Sequence, residues 1–247
     1  MSDEPGVLNE CGAVLAEVGE NKLALDAFRR SVTLEPDTGY EKYLTLGQLT
    51  SHEESLKFLT RGIELLRAEA PTETRKLSKA YCNIAELYLT DLCMANNAQT
   101  CCQEAVDNAI LVDGTNPEGY HLAASYLISS NKFDEAKIKL KDGINIWFEK
   151  HEIIMDDEII TEESQKEESV EDKLEVSVRM GALRLAVELE MWEDSIQIGI
   201  WLLKSDIVPC RFCIFILLFL FILVTAIYHQ STFVYNFPGR RKLSLSN

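Results

Sequence analysis

LNECGAVLAEVGENKLALDAFRRSVTLEP, residues 8–36, decides the fold. Gly12 is followed twelve positions later by Ala24, then by Phe28, Ser31 and Pro36, while Leu8, Cys11 and Leu15 share the face of Gly12 at helical spacing. Small residues at that interval let two consecutive helices approach closely. A bulky ring between them fills the space left between turns, and the proline ends the second helix because it has no N–H to donate. The segment therefore predicts a helical hairpin.

The spacing recurs along the chain. Residues 120–148 carry Ala124, Ala136, Leu140 and Gly143 at the same intervals, with Phe133, Ala136, Leu140, Ile144 and Trp147 on one stripe of the second helix. Gly47, Ser55, Leu59 and Gly62 repeat the pattern with a shortened turn, and Ala85, Ala98, Cys102 and Ala105 repeat it with one extra residue. A less regular copy holds Leu183, Ser195, Gly199 and Leu202. Self-similarity of this period is the signature of a tetratricopeptide solenoid. The expectation is an all-α superhelix over 1–206, with hairpins near 8–36, 40–66, 78–112, 118–148 and 175–206.

Between the fourth and fifth hairpins, residues 152–172 hold ten carboxylates against the single Lys166. An acidic loop over 151–172 is expected, led by Asp156, Asp157, Glu158, Glu162 and Glu163. Such a run reads either as a solvated loop or as an arm that engages a partner. The second reading draws on Ile153, Ile154, Met155, Ile159 and Ile160 interleaved with the acids.

The remainder, 207–247, is different material. It carries four basic residues and no acid, which leaves 20 basic and 40 acidic groups, a formal charge of −20, in 1–206. Phe212 to Tyr228 is a 17-residue uncharged run and reads as a C-terminal hydrophobic helix. About 17 to 25 apolar residues suffice to span a bilayer. Two readings stay open: a single-pass anchor displaying the repeats on a membrane, or an aberrant end that replaces further hairpins.

Chemistry has few footholds in this sequence. The four histidines, at 52, 121, 151 and 229, lack metal-ligand spacing, and Cys210–Cys213 is a lone C-x-x-C without a second pair. No glycine-rich phosphate loop and no nucleophile elbow occurs, so neither an enzyme nor a bound cofactor or metal is expected. Seven cysteines, an odd number, and an opening MSDEPGVLNE without a basic or apolar leader fit reduced thiols in cytoplasm or nucleus. A body of charge −20 repels phosphate backbones, which disfavours direct nucleic-acid binding and favours a basic partner.

In a solenoid of hairpins the first helices line a groove suited to a peptide. Repeat register places Glu17, Glu41, Gln48, Glu86 and Glu118 there as candidate partner-binding residues. Each glutamate has the alternative reading of a solvated helix face. The positions where a carboxylate-clamp domain for heat-shock chaperone tails needs Lys and Asn read Asn9 and Ala13, which argues against that ligand.

The segment KYLTLGQL at Lys42 to Leu49, with the short turn after it, resembles the dedicated tetratricopeptide assembly chaperones of large-subunit ribosomal protein four. NPEGYHLAASYLISSNKFDEAKIKLKDGI (116–144) and ELEMWEDS (188–195) add to the likeness. The resemblance implies a helical superhelix that captures a newly made basic ribosomal protein and escorts it to the nucleus for assembly. It also implies further hairpin after Asp206, where this sequence has the apolar run and the Arg240, Arg241, Lys242 tail instead.

Overall fold

The structure, a computed structural model, describes residues 4–155 and 170–204, with side chains over 4–146 and 176–202. The chain divides into two compact units, 1–165 and 166–247. In the first lie α1 (Pro5–Glu17), α2 (Asn21–Leu34), α3 (Tyr40–Leu49), α4 (His52–Glu69), α5 (Thr74–Leu89), α6 (Ala98–Val112), α7 (Pro117–Ser129) and α8 (Phe133–Met155). The second contains α9 (Val170–Glu188) and α10 (Trp192–Lys204). Among the described residues there is no strand.

Consecutive helices pair as hairpins: α1 with α2, α3 with α4, α5 with α6, α7 with α8, and α9 with α10. Within the first unit neighbouring hairpins also stack, through α2 on α3, α4 on α5, and both α5 and α6 on α7. The glycines explain the pairing. A Cβ on Gly12 would stand 2.9 Å from the Phe28 ring, and one on Gly47 2.5 Å from Cγ of Leu59. Gly62 and Gly143 are crowded in the same way, by Leu44 and by Tyr120. Ala24, Ala85, Ala124 and Ala136 are completely buried at the matching positions. The small residues are thus where one helix backbone meets the side chains of the next.

Larger residues bind one hairpin to the next. Ala24 and Phe28 of α2 share a buried cluster with Leu46 of α3. Ile63 and Leu66 of α4 close on Leu77 and Ala80 of α5, and Ala85, Cys102 and Ala123 join α5, α6 and α7. A fully buried leucine such as Leu46 or Leu66 contributes about 1.5–3 kcal/mol.

The KYLTLGQL segment has a capping role that the repeat pattern does not reveal. Lys42 is 2% exposed, and its Nζ donates to the Glu35 carbonyl at the end of α2, 2.5 Å away. Beside it the Tyr43 hydroxyl donates to the Pro36 carbonyl at 2.6 Å. A cation at a helix C-terminus meets the negative end of the helix dipole. Burial lowers the Lys42 pKa below the usual lysine value, against the pull of Glu35 and Glu69. Glu69 in turn accepts from the Gly39 and Tyr40 amides at the start of α3, at 2.9 and 3.3 Å. The tight passage from α2 to α3 is held at both helix ends.

Several sequence expectations need adjustment. Phe133, expected on the buried stripe of α8, is 49% exposed because it is the first residue of the helix; Ala136, Leu140, Gly143 and Ile144 do form the buried face. Among the described residues of α9 the buried ones are Arg179, Ala182, Leu185 and Ala186, while Leu183 is only half-buried. Both ends of the expected loop 151–172 are helical: α8 runs on to Met155 and α9 starts at Val170. The stretch IWFEKHEIIM contains neither Gly nor Pro to stop α8 earlier.

The apolar run 212–228 and the basic tail lie outside the described residues. Among the described residues no helix is long and apolar enough to cross a membrane.

Candidate partner-binding surface

The candidate glutamates sit in four different environments. Glu17 is exposed at the last position of α1. Glu41, in the first turn of α3, already has a cation: Lys76 of α5 stands 3.4 Å from its Oε1 and also donates to the Tyr40 hydroxyl at 3.1 Å. Lys76 lies over the Tyr40 ring, 5.5 Å from its centroid. A surface pair of this kind stabilises by about 0–1 kcal/mol, so it occupies the carboxylate more than it strengthens the fold.

Glu118, on the first turn of α7, is half-buried. Its backbone N–H donates to Asn116 Oδ1 at 3.3 Å, the cap that starts the helix together with Pro117. Burial raises its pKa above the ordinary glutamate value; Lys79 and Arg75 oppose the rise and Glu86 adds to it. The same group of charges surrounds Cys82 of α5, whose thiol burial pushes far up, with Glu118 and Glu86 adding to the effect. Glu86 and Glu118 therefore feel each other across one patch that also holds Lys79 and Arg75. Arg75 is anchored by Asp113, Nε to Oδ2 at 3.0 Å.

Gln48 and Glu86 are brought together directly. Both line a hollow of about 330 Å³ between α3, α4 and α5, floored by Gly47, Leu59 and Leu87 and rimmed by Thr50, Asn83 and Thr90. A second hollow of about 300 Å³, between α5, α6 and α7, is lined by Tyr88, Cys93, Gln99, Cys102 and Tyr126 among others. Glu17 and Glu41 line neither. Asp156, Asp157, Glu158, Glu162 and Glu163 lie outside the described residues.

Register reading missed Asn83, although it stands three positions before Glu86 on the same helix and so shares its face. It placed Lys79 among the acids but missed Arg75 and Lys76. Lys76, Lys79 and Arg75 stand among Glu41, Glu86 and Glu118, so the surface is patterned rather than uniformly negative. Pairing across hairpins decides this, and it cannot be counted from one helix at a time. Among the described residues there is no group of three or more metal-ligating side chains.

No protein-family model matches the chain. A Schizosaccharomyces pombe protein named "Probable assembly chaperone of rpl4" is 33% identical over 209 residues, 79% of this chain. The chain is a tetratricopeptide-type relative of the assembly chaperones of rpl4. An Emericella nidulans protein of the same name is 27% identical over 153 residues. The chain spans 57% of the length of the first of these chaperones and 39% of the second. A solved structure titled "Assembly Chaperone of RpL4 (Acl4)" superposes with a TM-score of 0.67, covering 85% of this chain and 80% of that one at 21% identity. At that identity the superposition bears on the fold alone.

Proposed function

We propose that this chain is a non-enzymatic chaperone that captures a basic, newly made ribosomal protein, large-subunit protein four, and holds it for assembly in the nucleus after meeting it in the cytoplasm. The observation that carries the reading is the match over 209 residues to the S. pombe chaperone. Physical chemistry supports it independently. A body with a formal charge of −20 competes for a segment designed to neutralise ribosomal RNA, and it repels RNA itself. Stacked hairpins offer an extended surface on which such a segment can lie.

In this reading residues 1–206 form the working superhelix. Glu17, Glu41, Gln48, Glu86 and Glu118 mark the surface that meets the ligand, and the carboxylates of Asp156, Asp157, Glu158, Glu162 and Glu163 supply a second, longer-range attraction. Release onto RNA is then a competition between carboxylates and phosphates for the same basic groups.

The test is a titration of the purified full chain with rpl4 at low and high salt, beside an unrelated basic protein of similar charge. Submicromolar binding that persists in salt and discriminates against the control is expected. Equal binding to both proteins, erased by salt, would overturn the proposal and leave only bulk charge.

A further inference from the structure

The hollow between α3, α4 and α5 has a chemistry of its own. Its floor is apolar: Leu59 is 1% and Leu87 7% exposed, with the buried Gly47 packed against Leu59 beside them. Its rim is rich in acceptors. The hydroxyls of Ser55, Thr50 and Thr90 already give their protons to the carbonyls of Gly47, Leu46 and Glu86, at 2.6, 2.6 and 2.8 Å. Their oxygens are therefore left as acceptors toward the hollow. Gln48 and Asn83 add amide oxygens, and Glu86 adds a carboxylate. No cationic side chain lines the hollow.

Glu41 is paired with Lys76, Glu54 with Arg29 and Asp37 with Arg61, whereas Glu86 makes no ion pair with any described residue. A carboxylate in no ion pair, above an apolar floor and among acceptors, is complementary to a side chain with an aliphatic stem and a cationic head. Arginine matches better than lysine. Its planar guanidinium carries five N–H donors that can serve several acceptors at once, where an ammonium has three on a compact, strongly hydrated centre. A volume of about 330 Å³ is at the lower end of the range for ligand sites and is ample for one such side chain.

We infer that this hollow is the anchor for a single arginine of the captured protein, with Glu86 as counter-ion and Gln48 and Asn83 as hydrogen-bond acceptors. The inference rests on the proposed capture of rpl4 and sharpens it. Charge spread over the body supplies attraction, while one hollow fixes where along the bound segment the surface is read.

The experiment compares three full-length proteins: the unmodified chain, Glu86→Gln and Asp26→Asn, the last an exposed position on α2 outside the proposed binding surface. Both variants remove one exposed carboxylate, so bulk charge changes equally and neither side chain is part of the core. Each is titrated with rpl4 and then with tiled 15-residue peptides of rpl4. A charge-assisted contact of this kind should be worth roughly tenfold in affinity. Glu86→Gln is expected to weaken rpl4 binding about tenfold and to erase binding of one peptide or one overlapping set, while Asp26→Asn changes affinity less than twofold. Resynthesis of that peptide with its arginines changed one at a time to lysine should show one position whose change costs the unmodified chain several-fold and costs Glu86→Gln nothing.

If the unmodified chain binds rpl4 and the two variants weaken it equally, the anchor is wrong and the capture reading stands. If every arginine-to-lysine peptide binds as well as its parent, the arginine assignment is wrong. If the unmodified chain fails to bind rpl4 at all, the capture reading falls and the anchor with it.

Discussion

Replacing Gly47 by alanine adds one methyl group at the closest approach of α3 to α4. That methyl would lie 2.5 Å from Cγ and 2.6 Å from Cδ2 of Leu59, and 3.3 Å from the Leu59 amide nitrogen. Ordinary carbon contacts are near 3.5–4.0 Å, so about 1 Å of separation has to be found. Leu59 is 1% exposed and cannot swing into solvent, and its backbone belongs to the next helix. Overpacking of this kind costs about 1–3 kcal/mol, here at the upper end, while the gain in helix propensity over glycine returns up to about 1. The expected net loss is about 2 kcal/mol, a fall in melting temperature of about 4–8 °C for a domain of this size. Gly181→Ala serves as the contrast: no atom lies within 4 Å of its added methyl, so it should be neutral or stabilising by up to about 1 kcal/mol. Thermal unfolding followed by circular dichroism at 222 nm reads both. A Gly47→Ala protein as stable as the unmodified chain would refute the argument that small residues are required by helix approach.

Three further outcomes can be checked. Burial lowers the His121 pKa from 6.5 to about 4, so the folded state keeps this ring neutral where the unfolded chain protonates it. Its contribution to stability is present above pH 6.5 and is lost as pH falls toward 4, by about 3 kcal/mol in all. Glu118, with its pKa raised, works in the opposite sense nearby, so the melting temperatures of unmodified protein and His121→Gln should be compared at pH 7.5 and 5: the difference between them should narrow on acidification, and a constant difference would contradict this account. Tyr43→Phe removes the 2.6 Å bond to the Pro36 carbonyl and should cost about 1 kcal/mol in urea unfolding with an unchanged m value. Cys93 is exposed whereas Cys82 and Cys102 are buried, the Cys102 thiol being pushed up to about 11, so iodoacetamide labelling followed by mass spectrometry should find Cys93 modified first and the other two only on unfolding.

What could be read from the sequence was the part of the fold set by local periodicity. Gly12, Ala24 and Phe28 announce a hairpin because a helix repeats every 3.6 residues, so close approach to a neighbour imposes small residues at regular intervals along one chain. The same reasoning reaches Gly47 with Leu59 and Ala124 with Ala136. It falters at helix ends, where periodicity runs out, as Phe133 and the helical continuation to Met155 show. In α9, where Ala182 and Ala186 rather than Leu183 are buried, more than one register fits the same letters. The candidate surface was legible only as a set of positions. Whether Glu41 is available depends on Lys76, 35 residues away, and what Gln48 and Glu86 share is a hollow walled by three helices. Lys42, which composition alone would assign to the surface, is buried because the end of α2 presents it with a carbonyl. Residue spacing along a helix is a property of one segment and is written in the sequence. Charge pairing, cavity shape and the burial of a cation depend on which segments meet, and only the packed hairpins decide that.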